Sequence, residues 1–209
     1  MSSHPHAGRS PVMLALDFES VLVPEIWVAV AECTGIRELK LTTRDMPDYG
    51  KLMEHRLALC RSNGLDLATI RRAIETMIPL PDAAEFLAWA RSRGPVVLLS
   101  DTFYEFASPL LAQLGQPLLL CHTLEVDAAG FITGYRLRIA DGKRVAVRSF
   151  RAMGFRVVAV GDSFNDIAML DEADRGILLH PPLEVASRFT QYTVADDIQA
   201  LQSLLAGEL

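Results

Sequence analysis

Leu14-Ala-Leu-Asp17-Phe-Glu19-Ser-Val-Leu-Val23 is the stretch whose reading decides the fold. An apolar run ends there on two carboxylates one residue apart. Val12 to Leu16 shows no apolar–polar alternation, so it predicts a strand covered on both faces, as in a parallel sheet. Asp17 then falls at the carboxyl end of that strand, where open α/β sheets place their ligands. A charge closing a buried strand is costly unless it has a partner or a task. Taken alone, such an Asp also serves as a loop cap, so the rest of the chain has to decide.

Downstream, Pro24 and Glu25 open a helix, Glu25 to Cys33, that Gly35 stops. A turn-prone piece, Thr42 to Asp48, precedes helices over Tyr49 to Ser62 and Asp66 to Met77, with Asn63-Gly64 as the break and Asp66 as an N-cap. Pro79 and Pro81 end this all-helical block. Helix and strand alternate after it. A helix over Asp82 to Arg93 packs Phe86, Trp89 and Ala90 into the core and leads to a buried strand, Val96 to Ser100. A helix over Phe103 to Leu114, a short strand at Leu118 to Cys121 and a β-hairpin over Glu125 to Arg138 follow. A helix from Gly142 to Met153, a strand at Arg156 to Val160 and another at Ile177 to Leu179 complete the pattern.

That order predicts an α/β fold, a doubly wound parallel sheet with an inserted helical cap and a small β-hairpin. The expected limits are a tail at 1–11, a core made of 12–24 and 81–209, and a cap at 25–80.

Composition narrows the function classes. Half of the 209 residues are hydrophobic, enough for a sizeable core. The net charge is −6 and Lys and Arg are scattered, which argues against nucleic acid or an acidic membrane as the partner. Cys33, Cys60 and Cys121 lie far apart. They suit reduced, buried thiols in a cytoplasmic protein better than a disulfide framework or a zinc site. No apolar run approaches membrane-spanning length. Met1 to Pro11 lacks the apolar core of a signal peptide and reads as a solvated tail, His4 and His6 included.

Three predicted strand ends carry polar chemistry. They are Asp17 and Glu19, Ser100-Asp101-Thr102, and Gly161-Asp162-Ser-Phe-Asn165-Asp166. In a parallel sheet such ends lie side by side, so up to four carboxylates, Asp17, Glu19, Asp162 and Asp166, crowd one crevice. Two like charges ~4 Å apart repel by about 4 kcal/mol at an effective dielectric of about 20. The cluster therefore calls for a cation or for protonation, and hard oxygen ligands with room for water and phosphate favour Mg²⁺. Lys143 opens a helix, where a cation is mildly unfavourable without an anion beside it. On the Tyr49–Ser62 helix, Arg56 falls in the middle of an apolar side made of Leu52, Met53, Leu57, Leu59 and Cys60. Such a guanidinium snorkels out, pairs within the protein, or clamps a substrate carboxylate. Glu25 either favours the helix dipole or takes a substrate ammonium.

Asp17-x-Glu19, Ser100, Lys143 and Gly161-Asp162-x-x-x-Asp166 resemble the four ordered motifs of the haloacid dehalogenase superfamily of phosphatases. More narrowly, Leu16 to Trp27, Thr42-Thr-Arg-Asp45, Pro47-Asp-Tyr49, Leu99 to Phe106 and Leu120-Cys-His122 resemble a bacterial branch of phosphoserine phosphatases. That branch includes a bifunctional phosphoserine phosphatase and phosphoserine:homoserine phosphotransferase. The resemblance implies that Asp17 attacks phosphorus and Glu19 serves as acid and then base. It implies that Ser100 and Lys143 hold phosphoryl oxygens. Mg²⁺ would sit on Asp17, the Glu19 carbonyl and Asp162, with Asp166 supporting that shell. Asn165 and Asp101 are expected to contact substrate, and Glu25 and Arg56 match the residues that hold the amino acid. Most of the superfamily has Asp where Glu19 stands, and Ser20 replaces a Gly. The expected partner is a small phosphorylated amino acid, with a homodimer allowed. Two alternatives stay open: a phosphatase for another small phosphomonoester, and a non-catalytic phospho-ligand binder on the same fold.

Overall fold

The non-alternating run before Asp17 forms β1 (Val12–Asp17), and its residues divide between two cores. Leu14 and Leu16 face one, Met13 and Ala15 the other. With helices covering both faces of the sheet, neither set of positions can be polar. The structure is a computed structural model and describes residues 10–43, 45, 46 and 48–209. His4, His6, Arg44 and Pro47 lie outside the described residues.

After β1 come α1 (Ile26–Thr34), a 3-10 turn at Arg37–Lys40, α2 (Tyr49–Ser62) and α3 (Leu67–Glu75). Then follow α4 (Ala83–Arg93), β2 (Val96–Phe103), α5 (Tyr104–Gln113), β3 (Leu119–Val126), β4 (Ile132–Arg136), α6 (Gly142–Ala152) and β5 (Arg156–Gly161). A 3-10 turn at Phe164–Asp166, α7 (Ile167–Glu172), β6 (Arg175–Leu179), α8 (Leu183–Arg188), β7 (Thr193–Ala195) and α9 (Ile198–Leu205) complete the chain.

The sheet order is β4-β3-β2-β1-β5-β6-β7. Every neighbouring pair is parallel except β3 with β4. The chain winds from β1 through β2 to β3 and β4, then crosses back to lay β5 on the other side of β1. The direction therefore switches between β1 and β5, where the flanking loops part and leave a crevice. Asp17 and Gly161 end those two strands.

The helical block from α1 to α3 lies between β1 and α4. Asp48 caps α2 by accepting from Lys51 N at 3.1 Å, and Asp66 caps α3 by accepting from Thr69 N at 2.7 Å. Packing of α1 on α3 and of α3 on α5 sets the block against the sheet layer, while α2 lies over β4. Leu80 N donates to Leu22 O at 2.9 Å, so the chain returns to the place where it left β1.

Several expectations are corrected. The strand at Leu118 to Cys121 and the first arm of the hairpin are one element, β3, because its edge pairs on into β4. The turn between them places Gly130 at φ +88°, a conformation open to glycine. The terminal α8, β7 and α9 carry too short an apolar pattern to be read from sequence, and β7 has three residues. Trp89 is only half-buried: it stacks on Phe86 at 5.9 Å under the Arg93 guanidinium, while Leu87 fills the core. Cys33 is exposed, whereas Cys60 and Cys121 are buried. Among the described residues, no helix is long and apolar enough to cross a membrane.

Candidate active site

A cleft of about 350 Å³ opens over the carboxyl ends of β1, β2 and β5. Asp17, Glu19, Glu25, Arg56, Ser100, Asp101, Lys143, Asp162 and Asn165 all line it. Asp166 lies beneath, fully buried.

The cleft floor is built by backbone. Gly161 ends β5 without a side chain, and a Cβ there would meet Asp166 Cβ and Cγ at 2.4 Å. That absence lets Asp166 fold back under the loop. Its Oδ2 accepts from Asp162 N at 3.0 Å and Ser163 N at 3.1 Å, and its Oδ1 accepts from Lys143 Nζ at 2.8 Å. Lys143, the second residue of α6, also donates to Asp17 Oδ1 at 2.7 Å. Asp101 Oδ2 stands 3.9 Å away on the third side. β2 bulges between Leu99 and Phe103, which re-aims Ser100 and Asp101 out of strand register.

One ammonium does not balance these carboxylates. Ligand oxygens of Asp17, Asp162 and Asp166 all lie within 4.8 Å of one another. Burial and the charge of Asp166 push the Asp17 carboxyl well above its ordinary pKa, against the pull of Lys143. Burial opposes the charge on Lys143, but Asp166, Asp17 and Asp101 hold its pKa above the ordinary value. The surplus negative charge and the all-oxygen donor set fit a hard divalent cation such as Mg²⁺. Both carboxylate oxygens of Asp166 already accept hydrogen bonds, Oδ1 from Lys143 and Oδ2 from two amides.

Glu19 lines the same cleft, but its carboxylate turns aside. Ile26 N, at the start of α1, donates to Glu19 Oε2 at 2.9 Å. Three carboxylates rather than four therefore form the cluster. Burial and the nearby Glu25 charge raise the Glu19 pKa from 4.5 to about 7. Such a group can give and take a proton near neutrality.

Arg56 neither snorkels out nor pairs with a carboxylate among the described residues. It is buried, with Nη2 donating to Leu41 O at 2.8 Å and its guanidinium 4.9 Å from the Trp27 ring centroid. Its Nε is buried without a hydrogen-bond partner among the described residues. An unpaired buried donor is destabilising by about 1–3 kcal/mol. Burial lowers the Arg56 pKa below its ordinary value, partly offset by Glu19, Tyr49 and Glu25.

Sequence reading missed several lining residues: Trp27, Thr42, Thr43, Tyr49 and Thr102. Tyr49 donates to Asp101 O at 2.8 Å, and Thr43 Oγ1 donates to Asn165 Oδ1 at 3.2 Å. Both bonds join the helical block to the sheet across the cleft. Helical spacing could have found Tyr49, which lies seven positions before Arg56 on the same face. His122 is buried, accepts from Arg138 N at 3.2 Å through Nδ1, and places Nε2 3.6 Å from Asp101 Oδ1.

A family model for haloacid dehalogenase-like hydrolases matches residues 13–171. The chain belongs to that family. It is 51% identical over 187 residues to phosphoserine phosphatase ThrH of Pseudomonas aeruginosa, covering 90% of this chain and 91% of that protein. A phosphoserine phosphatase of Pseudomonas syringae pv. tomato is 50% identical over 196 residues, covering 93% and 83%. Among solved structures, phosphoserine phosphatase from T. onnurineus superposes with a TM-score of 0.73 at 26% identity, over 98% of each chain. A phospho-aspartyl intermediate analogue of a phosphoserine phosphatase has a TM-score of 0.76 at 20% identity, over 94% and 99%, and shares the fold.

Proposed function

We propose that this haloacid dehalogenase-like hydrolase transfers the phosphoryl group of O-phospho-L-serine through an aspartyl phosphate on Asp17. Water is one acceptor and homoserine a second. The observation that carries this reading is the pairing, in one cleft, of an Asp17–Lys143 contact with a buried Arg56 whose Nε has no partner among the described residues. The first suits a phosphoryl group and the second a carboxylate, and a phosphorylated amino acid carries both. The relatives named phosphoserine phosphatase at 51% and 50% identity support it.

In the first half-reaction Asp17 attacks phosphorus, the bond from phosphorus to the serine oxygen breaks, and Glu19 gives that oxygen its proton. In the second, Glu19 takes a proton from water or an alcohol, whose oxygen attacks phosphorus and releases Asp17. Ser100 and Lys143 hold the phosphoryl oxygens as charge moves across them. Mg²⁺, when bound, supplies positive charge to the phosphoryl group, and Asp17, the Glu19 carbonyl and Asp162 are the residues to hold it. Asp166 positions Lys143 and the Asp162 loop. Residues 25–80 act as a cap over the cleft, with Arg56 binding the substrate carboxylate, Glu25 its ammonium, and Asp101 and Asn165 closing the sides.

The test is a product assay with O-phospho-L-serine and Mg²⁺, with and without homoserine. Serine and phosphate are expected in both, with phosphohomoserine appearing when homoserine is present. No release of phosphate from phosphoserine, against ready release from another small phosphomonoester, would overturn the substrate assignment.

A further inference from the structure

Ser20 occupies a backbone conformation that its side chain does not favour. Its φ is +61°, a left-handed value that glycine reaches without penalty and serine does not. The turn closes through backbone alone, with Ser20 N donating to Val23 O at 2.7 Å. The hydroxyl makes a separate contact: it donates to Glu25 Oε1 at 2.9 Å.

Glu25 stands at the N-cap of α1, yet its side chain makes no cap hydrogen bond. Its carboxylate is therefore not committed to the helix end. Glu25 is exposed, and a glutamate on the solvent side of a cleft samples several rotamers unless something holds it. Ser20 is the group that holds it, and both residues line the cleft.

We propose that Ser20 fixes the Glu25 carboxylate where it meets a substrate ammonium, which makes Ser20 a specificity-determining positioning residue for amino-acid phosphoesters. This rests on the reading that Glu25 takes the ammonium. Ser20 touches no reacting atom. It narrows the orientations of Glu25 before substrate arrives, so the ordering cost is met in advance.

The experiment compares O-phospho-L-serine with 3-phosphooxypropanoate, the same ester without its amine. The ratio of the two kcat/KM values is measured in the parent protein, Ser20→Gly, Ser20→Ala, Glu25→Gln and the Ser20→Gly/Glu25→Gln double variant. Both Ser20 variants are expected to lower the ratio about tenfold, chiefly through KM for phosphoserine. Ser20→Gly is expected to keep or raise the melting temperature, because glycine relieves the left-handed backbone. Glu25→Gln should lower the ratio at least as far, and adding Ser20→Gly to it should change the ratio no further. An unchanged ratio in the Ser20 variants beside a fall in Glu25→Gln would overturn the role of Ser20 and leave that of Glu25 standing. A fall in only one Ser20 variant would also overturn it, since both lack the hydroxyl. An unmoved ratio in Glu25→Gln, or no preference for phosphoserine in the parent protein, would overturn the reading of Glu25 and this inference together.

Discussion

Lys143 Nζ and Asp17 Oδ1, 126 positions apart in the chain, meet at 2.7 Å. Asp17 is delivered by the end of β1 and Lys143 by the first turn of α6, so the contact exists only when the sheet has closed. The same ammonium reaches Asp166 at 2.8 Å. One cation thus ties the proposed nucleophile to the loop after β5, and the geometry of one depends on the other.

Glu19 makes the pH dependence specific. Its folded pKa of about 7 stands above the ordinary 4.5 because burial and the Glu25 charge disfavour the carboxylate. As a general acid it must hold its proton when the leaving oxygen departs, so kcat/KM is expected to fall as pH rises through about 7. Stability moves the same way. The folded state binds this proton more tightly than the unfolded state, so the contribution is fully present below 4.5 and is lost as pH rises through about 7. Glu19→Gln should lower kcat by about 10²–10⁴-fold and erase the alkaline limb. A pH–rate profile of both proteins checks this, and an unchanged limb in Glu19→Gln would assign it elsewhere.

Arg56→Ala removes a buried guanidinium whose Nε has no hydrogen-bond partner among the described residues. The KM for phosphoserine is expected to rise about 10–100-fold, and that for an aryl phosphate without a carboxylate to change by less than about threefold. Steady-state kinetics on both substrates decide it. Equal rises would take Arg56 out of substrate binding.

Gly161→Ala tests the floor of the cleft. The new methyl would lie 2.4 Å from Asp166 Cβ and Cγ, buried atoms with no room to retreat. A destabilisation of about 1–3 kcal/mol is expected, with loss of activity as Asp166 is displaced from Lys143. Thermal unfolding and phosphate release measured together check it; a stable, active variant would show that the Asp166 position is not required.

Tyr49→Phe deletes the bond from the helical block to Asp101 O at 2.8 Å. Closure across the cleft should weaken by about 0.5–1.5 kcal/mol and admit water more readily. The ratio of serine-linked phosphate release to phosphohomoserine formation is expected to rise in this variant. A constant ratio would mean that Tyr49 does not set the choice of acceptor.

Much of the sheet and its polar strand ends was legible because burial on both faces leaves an unmistakable pattern. Val12 to Leu16 and Val157 to Val160 are continuous apolar runs, and the cleft residues Asp17 and Asp162 follow within two positions of them. Arg56 was legible as a charge inside an apolar stripe. Tyr49 and Thr43 stood in the motifs but without a place in the cleft, because their hydroxyls show no partner until Asp101 and Asn165 on the opposite wall are in view. The turn of Glu19 toward Ile26 N was equally hidden, since the start of α1 competes for the carboxylate through a backbone donor that sequence does not display. Ser20 looked like a departure from the family pattern, and only its bond to Glu25 gives the departure a use.

The central claim is that Asp17 carries the phosphoryl group. Rapid quenching of the protein with phosphoserine labelled on phosphorus, followed by digestion and mapping, tests it most directly. Acid-stable, hydroxylamine-labile label on the peptide containing Asp17, absent from Asp17→Asn protein that also loses at least about four orders of magnitude in turnover, is the predicted result. Label on another residue, or steady turnover by Asp17→Asn, would contradict it.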